Sequence, residues 1–181
     1  MNLPNKLTVS RVTMIPFFVY FLLADFGGQL GGIQRYIATA IFIIASLTDF
    51  LDGYLARKNN LVTNFGKFMD PLADKMLVCS ALICLTAKGQ LAPWIVIVII
   101  CREFVISGFR LIASDNRVVI AASYWGKIKT FFQMIMIILI ILDLSNKFFQ
   151  YITVVVTYLA VAFTIISLFD YLIKNKRIIS G

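Results

Sequence analysis

Apolar positions run through this sequence for long stretches with almost no polar interruption, as at 37–47, 91–101 and 134–142. A helix built on such a run is apolar on every side, and helices of that kind are membrane spans. A bilayer core of about 30 Å takes roughly 20 helical residues. On that measure the pattern predicts six spans, over 7–25, 34–56, 66–87, 93–113, 122–144 and 148–173. A closed β-barrel is the other spanning architecture, but these segments are too long for it and lack its alternation. The expected fold is an all-α integral membrane protein of six transmembrane helices, a single membrane-embedded domain over residues 1–181. The first span has no small-residue cleavage site and five more follow, so it is expected to be retained rather than removed as a signal peptide. The stretch 2–6 ahead of it, with Pro4, is expected to lie in the interface before the chain enters the membrane.

Composition agrees with the pattern. The chain is 60 % hydrophobic and 14 % charged, where soluble domains carry about a quarter charged residues. With the N-terminus placed in the cytoplasm, only Arg35, Lys88 and Lys147 of the 17 Lys and Arg fall on the outer side. Both termini are therefore expected to be cytoplasmic. The net charge of +8 then reflects topology and contact with anionic membrane lipids, and calls for no nucleic-acid partner. Cys79, Cys84 and Cys101 lie inside apolar runs without CxxC spacing and read as small buried hydrophobes. The sequence has no histidine, which removes the commonest general base and zinc ligand. A metal here has to be held by oxygen, which favours magnesium, manganese or calcium.

Candidate chemistry gathers in one place. Of nine acidic residues, Asp49, Asp52, Asp70 and Asp74 fall across the connection between the second and third spans. Asp49 and Asp52 are three apart, and Asp70 and Asp74 four apart, so each pair shares one face of its helix. In an antiparallel hairpin centred near Leu61, all four carboxylates reach nearly the same depth. Like charges so arranged repel, and unpaired ions near a membrane cost a few kcal/mol each. One or two divalent ions, helped by Arg57, Lys58, Lys67 and Lys75, would neutralise them. Gly53 and Ala56 leave a shallow groove, Gly66 opens the third span near unpaired backbone N–H groups, and Arg57 offers a planar fork suited to a diphosphate. Asn5, Thr8 and Arg11 share a face of the first span, a pattern that suits either a ligand surface or interfacial polarity with Arg11 snorkelling to headgroups.

The run Asp49-x2-Asp52-Gly53-x2-Ala56-Arg57-x8-Gly66-x3-Asp70-x3-Asp74 resembles, without a gap, the signature of the CDP-alcohol phosphatidyltransferase family. The opening Asn2-Leu3-Pro4-Asn5-Lys6-Leu7-Thr8 with Arg11, the run 64–75, Arg102-Glu103-Phe104 and Gly126-Lys127-Ile128-Lys129-Thr130 look like the bacterial members that make phosphatidylglycerophosphate. That resemblance implies two Mg2+ or Mn2+ ions on Asp49, Asp52, Asp70 and Asp74. It also implies a CDP-diacylglycerol site formed by Asn5, Thr8, Arg11, Asp52, Gly53, Ala56, Arg57 and Gly66. Asp74 would be the catalytic base on the acceptor hydroxyl, with CMP as leaving group. The resemblance further implies a homodimer in the bacterial cytoplasmic (inner) membrane, its site facing the cytoplasm.

An acceptor such as glycerol 3-phosphate brings its own phosphate, which needs cations apart from the aspartates. Arg102 and Arg110 on the fourth span and Lys127 and Lys129 on the fifth are the candidates. Glu103, Ser107 and Arg110 share a helical face, and Glu103 is placed to orient an arginine. Arg117, mid-connection, fits the positive-inside rule alone. Trp125, Tyr158 and Tyr171 are expected in aromatic belts or helix packing, and Asp170 with Lys174 in an exposed i,i+4 pair. Two alternatives remain open: the same chemistry with inositol phosphate, serine or phosphatidylglycerol as acceptor, or a divalent-cation transporter that uses the same aspartates.

Overall fold

The computed structural model describes the backbone of residues 3–24, 32–58, 64–115 and 123–175, and side chains within 7–24, 32–48, 69–113 and 123–175. Among the described residues there are six helices and no strand: α1 (Leu3–Leu23), α2 (Ile33–Lys58), α3 (Asn64–Ala87), α4 (Pro93–Asp115), α5 (Tyr124–Leu142) and α6 (Lys147–Lys174). Each expected span corresponds to one helix. The main difference is at the start, where the expected interfacial stretch is instead continuous with α1 from Leu3. Pro4 stands in the first turn, where a missing N–H costs nothing because no intrahelical partner awaits it.

The chain forms two compact units, Met1–Gln90 and Leu91–Gly181. In the first, α1 buries Thr8, Arg11, Ile15, Phe18 and Leu22, at the three- and four-residue steps of one helical face. That face meets Ala38, Phe42 and Ala45 of α2 and Ala73, Leu77 and Ala81 of α3, all buried. Phe18 and Phe42 fill the α1–α2 contact with ring centroids 5.6 Å apart. Small alanines on α2 and α3 let the backbones approach, and close packing is what joins helices when the surroundings are as apolar as their side chains. Helices α1 and α3 run parallel, linked by Thr8 to Asp70 near one end and by Lys88 Nζ to the Leu22 carbonyl, 3.0 Å, near the other.

In the second unit, α4 contributes Ile99, Arg102 and Ile106, α5 contributes Lys129, Gln133, Met136 and Ile140, and α6 contributes Thr157, Thr164, Ser167 and Tyr171 to the interior. Contacts advance together along α4 and α6, from Arg102–Ser167 to Phe109–Tyr171, so these two helices are parallel. They advance oppositely along α5 and α6, from Ser123–Asp170 to Phe132–Phe163, so that pair is antiparallel. The turn after α5 places Asp143 in the left-handed region at φ 42°. Asn146 then caps α6 by accepting from the Phe148 N–H at 2.9 Å.

Helices α5 and α6 are each long and apolar enough to cross a membrane, and only 33 % and 28 % of their apolar windows are buried inside the protein. The remainder faces outward, the opposite of a soluble core helix. Shorter apolar stretches lie in α1 (Leu7–Leu23) and α2 (Ile33–Thr48). Phe17, Phe104, Leu111, Phe131, Phe148 and Ile173 are all more than half exposed, a surface suited to lipid and costly in water. Hydroxyls obey the same solvent. Thr39, Ser46, Thr86, Thr157 and Thr164 each donate to the carbonyl four residues back, at 2.6–3.0 Å. Backbone carbonyls are the acceptors available where water is absent.

Phe17 and Phe18 are neighbours in sequence, yet 59 % and 0 % exposed. Phe18→Ala should destabilise unit 1 by roughly 3–5 kcal/mol, the usual cost of emptying a buried phenylalanine site. Phe17→Ala should stay within about 0.5 kcal/mol. Thermal unfolding of both variants in the same detergent checks the contrast.

Candidate active site

The aspartate-bearing segments are both helical. Asp52 lies six residues before the last residue of α2, and Asp70 six after the first of α3. At 1.5 Å per residue each sits about 9 Å from its helix end. Asp49 and Asp74 lie deeper by about one turn on their own helices. Measured along each helix, the two pairs thus lie at corresponding distances from the ends that border residues 59–63. The side chains of Asn5, Asp49, Asp52, Gly53, Ala56, Arg57 and Gly66 lie outside the described residues, as does Arg117 with its whole connection.

Asp70 and Asp74 are described, and both are half-buried. They flank Ala73 and precede Leu77, which are fully buried, so the carboxylates stand at the edge of the packed face of α3. Asp70 Oδ1 accepts a 2.5 Å hydrogen bond from Thr8 Oγ1. Thr8 is fully buried on α1, so this bond fixes the direction of one carboxylate from a neighbouring helix. Pro71 follows Asp70 inside α3 and brings no N–H, which leaves the Lys67 carbonyl without its usual helical donor.

Arg11, one turn beyond Thr8 on the same face, is also fully buried. Its charge is held inside unit 1 rather than reaching outward to headgroups, which removes the snorkelling alternative for this residue.

The donor set fits a hard divalent cation. Asp70 and Asp74 offer oxygen only, one turn apart, and Asp70 keeps Oδ2 beyond its bond to Thr8. Magnesium and manganese take such ligands. Among the described residues no three His, Cys, Asp or Glu side chains come together.

The acceptor candidates divide into two kinds. Arg102 and Lys129 are 9 % and 3 % exposed, whereas Arg110 and Lys127 are exposed. Arg102 Nη1 donates to Glu103 Oε1 at 2.9 Å, and Lys129 Nζ pairs with the same oxygen. Arg102 Nε donates to Ser167 Oγ at 3.2 Å. The expected face of Glu103, Ser107 and Arg110 resolves differently: Ser107 donates to the Glu103 carbonyl at 2.5 Å, while the Glu103 carboxylate serves Arg102 and Lys129.

Three participants escaped the sequence reading. Ser167 binds Arg102, Ser123 donates to Asp170 at 2.6 Å, and Gln133 is buried one turn along α5 from Lys129. A signal for the first existed: Thr157, Thr164, Ser167 and Tyr171 recur at helical spacing along an otherwise apolar α6. The pair of Asp170 and Lys174 is present at 2.7 Å, with Ser123 added to it. Trp125 stacks on Phe163 at 6.1 Å and buried Tyr171 packs on Phe109 at 6.4 Å, so both serve helix packing.

Comparison with known proteins matches this architecture to one family. Residues 1–166 match the sequence model described as CDP-alcohol phosphatidyltransferase. A Bacillus subtilis protein named CDP-diacylglycerol–glycerol-3-phosphate 3-phosphatidyltransferase is 44 % identical, covering 96 % of this chain and 95 % of its own. Proteins of the same name from Haemophilus influenzae and Rickettsia felis are 39 % and 36 % identical, over 94 % and 97 % of this chain and 91 % and 96 % of theirs. The match takes in the aspartate segments of α2 and α3 and the cation-bearing parts of α4 and α5 alike, so the chain belongs to the CDP-alcohol phosphatidyltransferase family and is a transferase.

Proposed function

We propose that this protein transfers the phosphatidyl group of CDP-diacylglycerol to sn-glycerol 3-phosphate, yielding phosphatidylglycerophosphate and CMP in anionic phospholipid synthesis. The observation that carries this reading is the 44 % identity to the Bacillus subtilis enzyme of that name over 96 % of the chain. The transferase family sets aside the cation-transporter alternative. The six helices act as six spans of a single membrane-embedded domain in the bacterial inner membrane, with both termini cytoplasmic and two copies forming a homodimer. The outward-facing apolar surfaces of α5 and α6 support the membrane placement, and the distribution of Lys and Arg supports its orientation.

Asp49, Asp52, Asp70 and Asp74 would hold two Mg2+ or Mn2+ ions. When bound, such ions neutralise a diphosphate and the charge that develops on it during transfer. Asn5 and Arg11 on α1, and Gly53, Ala56, Arg57 and Gly66 on α2 and α3, shape the CDP-diacylglycerol site. Arg57 supplies a planar fork for a phosphate, and the glycines leave room for close approach. Thr8 acts on the same site through Asp70, whose carboxylate it orients. Asp74 accepts the proton of the acceptor hydroxyl as its oxygen bonds to the phosphorus that carries diacylglycerol. The bond from that phosphorus to the bridging oxygen breaks, and CMP leaves with the electron pair. With no histidine in the chain, a carboxylate is the available base. Arg102, Arg110, Lys127 and Lys129 supply positive charge for the acceptor's phosphate.

CMP release from CDP-diacylglycerol and magnesium by the purified protein should require glycerol 3-phosphate, and not proceed with serine, inositol phosphate or phosphatidylglycerol. Asp74→Asn should lower the rate by about 100-fold or more, as loss of a general base does. Release with another acceptor would retain the catalytic core and overturn the acceptor assignment.

Removal of the Thr8 hydroxyl tests the metal reading separately. Thr8→Val should weaken Mn2+ binding by about tenfold, because a hydrogen bond to a charged group contributes about 1.5–3 kcal/mol. Thr8→Ser should restore it. Mn2+ titration followed by electron paramagnetic resonance reads both without turnover, and unchanged affinity in Thr8→Val would show that Asp70 needs no such support.

A further inference from the structure

Helix α5 begins without the groups that usually satisfy a helix N-terminus. The N–H groups of Tyr124, Trp125 and Gly126 precede the first bond of the helix, which runs from the Lys127 N–H to the Ser123 carbonyl at 3.3 Å. Ser123 stands at the cap position, but its side chain makes no cap bond. The hydroxyl donates instead to Asp170 Oδ2 on α6, at 2.6 Å. The first turn holds no acidic residue, and the Asp170 carboxylate is engaged by Ser123 and Lys174. Bare N–H groups at the positive end of a helix dipole favour an anion.

A second donor faces the same turn. Arg102 on α4 is 9 % exposed. Its Nε donates to Ser167 at 3.2 Å and its Nη1 to Glu103 at 2.9 Å. Nη2 makes no hydrogen bond among the described residues. That nitrogen lies beside Gly126, where a Cβ would stand 3.6 Å from it and within 4 Å of no other atom of α4 or α6. In a helix the Cα–Cβ bond leans toward the N-terminus. The missing Cβ of Gly126 thus leaves open the space that borders both the unpaired arginine donor and the bare N–H groups. Helix α6 holds this turn in place, because Trp125 stacks on Phe163 at 6.1 Å and Ser123 is tied to Asp170.

We propose that the first turn of α5 seats the phosphate of the acceptor, and that Gly126 is the residue that admits it to Arg102. The phosphate accepts from first-turn N–H groups and from Nη2 together, on the side where Gly126 has no side chain. Backbone donors lose no side-chain freedom on binding, so they fix the anion where the exposed Arg110 and Lys127 only attract it. The assignment deepens the reading of glycerol 3-phosphate as acceptor and rests on it. The headgroup of an anionic lipid offers the same phosphate chemistry, and the experiment separates the two sources.

Steady-state kinetics of the full chain in detergent tests this with Gly126→Ala. The added methyl stands at ordinary contact distance from Nη2, and alanine favours a helix over glycine, so the melting temperature should hold or rise. The KM for glycerol 3-phosphate should rise about tenfold, the equivalent of one lost charge-assisted hydrogen bond. Inorganic phosphate should compete with glycerol 3-phosphate in the wild-type protein, and its Ki should rise by the same factor. The KM for CDP-diacylglycerol should stay within about twofold, since its binding is untouched. Gly126→Asp, which sets a carboxylate at the same turn, should abolish the competition by inorganic phosphate in a folded protein. A KM and Ki that do not move in Gly126→Ala, or a rise in both KM values together, would leave Gly126 a packing residue and overturn the proposal. A change confined to the response to added phosphatidylglycerol would give the turn to a lipid headgroup, with the same consequence. Should the wild-type protein release CMP with an acceptor that has no phosphate, the acceptor reading itself fails, whatever Gly126→Ala does, and this assignment fails with it.

Discussion

An ionised side chain inside an apolar helical bundle has to find its counterpart within the protein, because neither lipid nor water is there to supply one. The structure meets this demand at two places, in different ways. In unit 1 a buried threonine on α1 donates to Asp70 on α3, a bond that directs the carboxylate without cancelling its charge. In unit 2 a single glutamate receives two cations. Neither arrangement would be retained for stability alone, since well-packed apolar residues usually serve a helix interface at least as well as buried ions.

The same constraint explains where the helices pack and where they face outward. Packed faces carry small or polar residues, such as Ala38, Ala45, Ala73 and Ala81 in unit 1 and Thr157, Ala160, Thr164 and Ser167 in unit 2. Outward faces carry Phe17, Leu47, Leu111, Phe131 and Ile173. A soluble protein reverses this preference. Where the surroundings are apolar, small residues gain contact by allowing close approach, and hydroxyls are tolerated because they return to a carbonyl of their own helix.

The helices were legible in the sequence because their apolar runs are long and the connections short. Of the aspartate set, spacing along the chain assigns two members to α2 and two to α3, where the backbone has them, and Asp70 and Asp74 stand one turn apart on α3. The environment of Glu103 was not. Its partners, Arg102, Lys129 and Ser167, come from three helices, and 65 residues separate the two ends of the Arg102–Ser167 bond. Periodicity places Ser167 on the same face as Thr164 and Tyr171, yet says nothing about which helix lies opposite. It also gave Arg102 and Arg110 equal standing as cations. Packing alone separates them, by burying the first and leaving the second exposed.

That separation bears on how a family with one metal motif selects different acceptors. On the proposed reading the aspartates handle the donor's diphosphate and the acceptor's hydroxyl, which are common to every reaction of this chemistry. Discrimination has to come from groups that meet what the acceptors do not share, and a charged phosphate is the largest such difference. A flexible surface cation attracts any anion with little preference for its shape, since the side chain follows the ligand. A buried guanidinium held in plane by a carboxylate and a hydroxyl accepts oxygen only along fixed directions. On the proposed reading of Arg102 and Lys129 as phosphate ligands, selectivity between a phosphorylated and an unphosphorylated acceptor would reside in that buried pair rather than in the exposed Arg110 and Lys127.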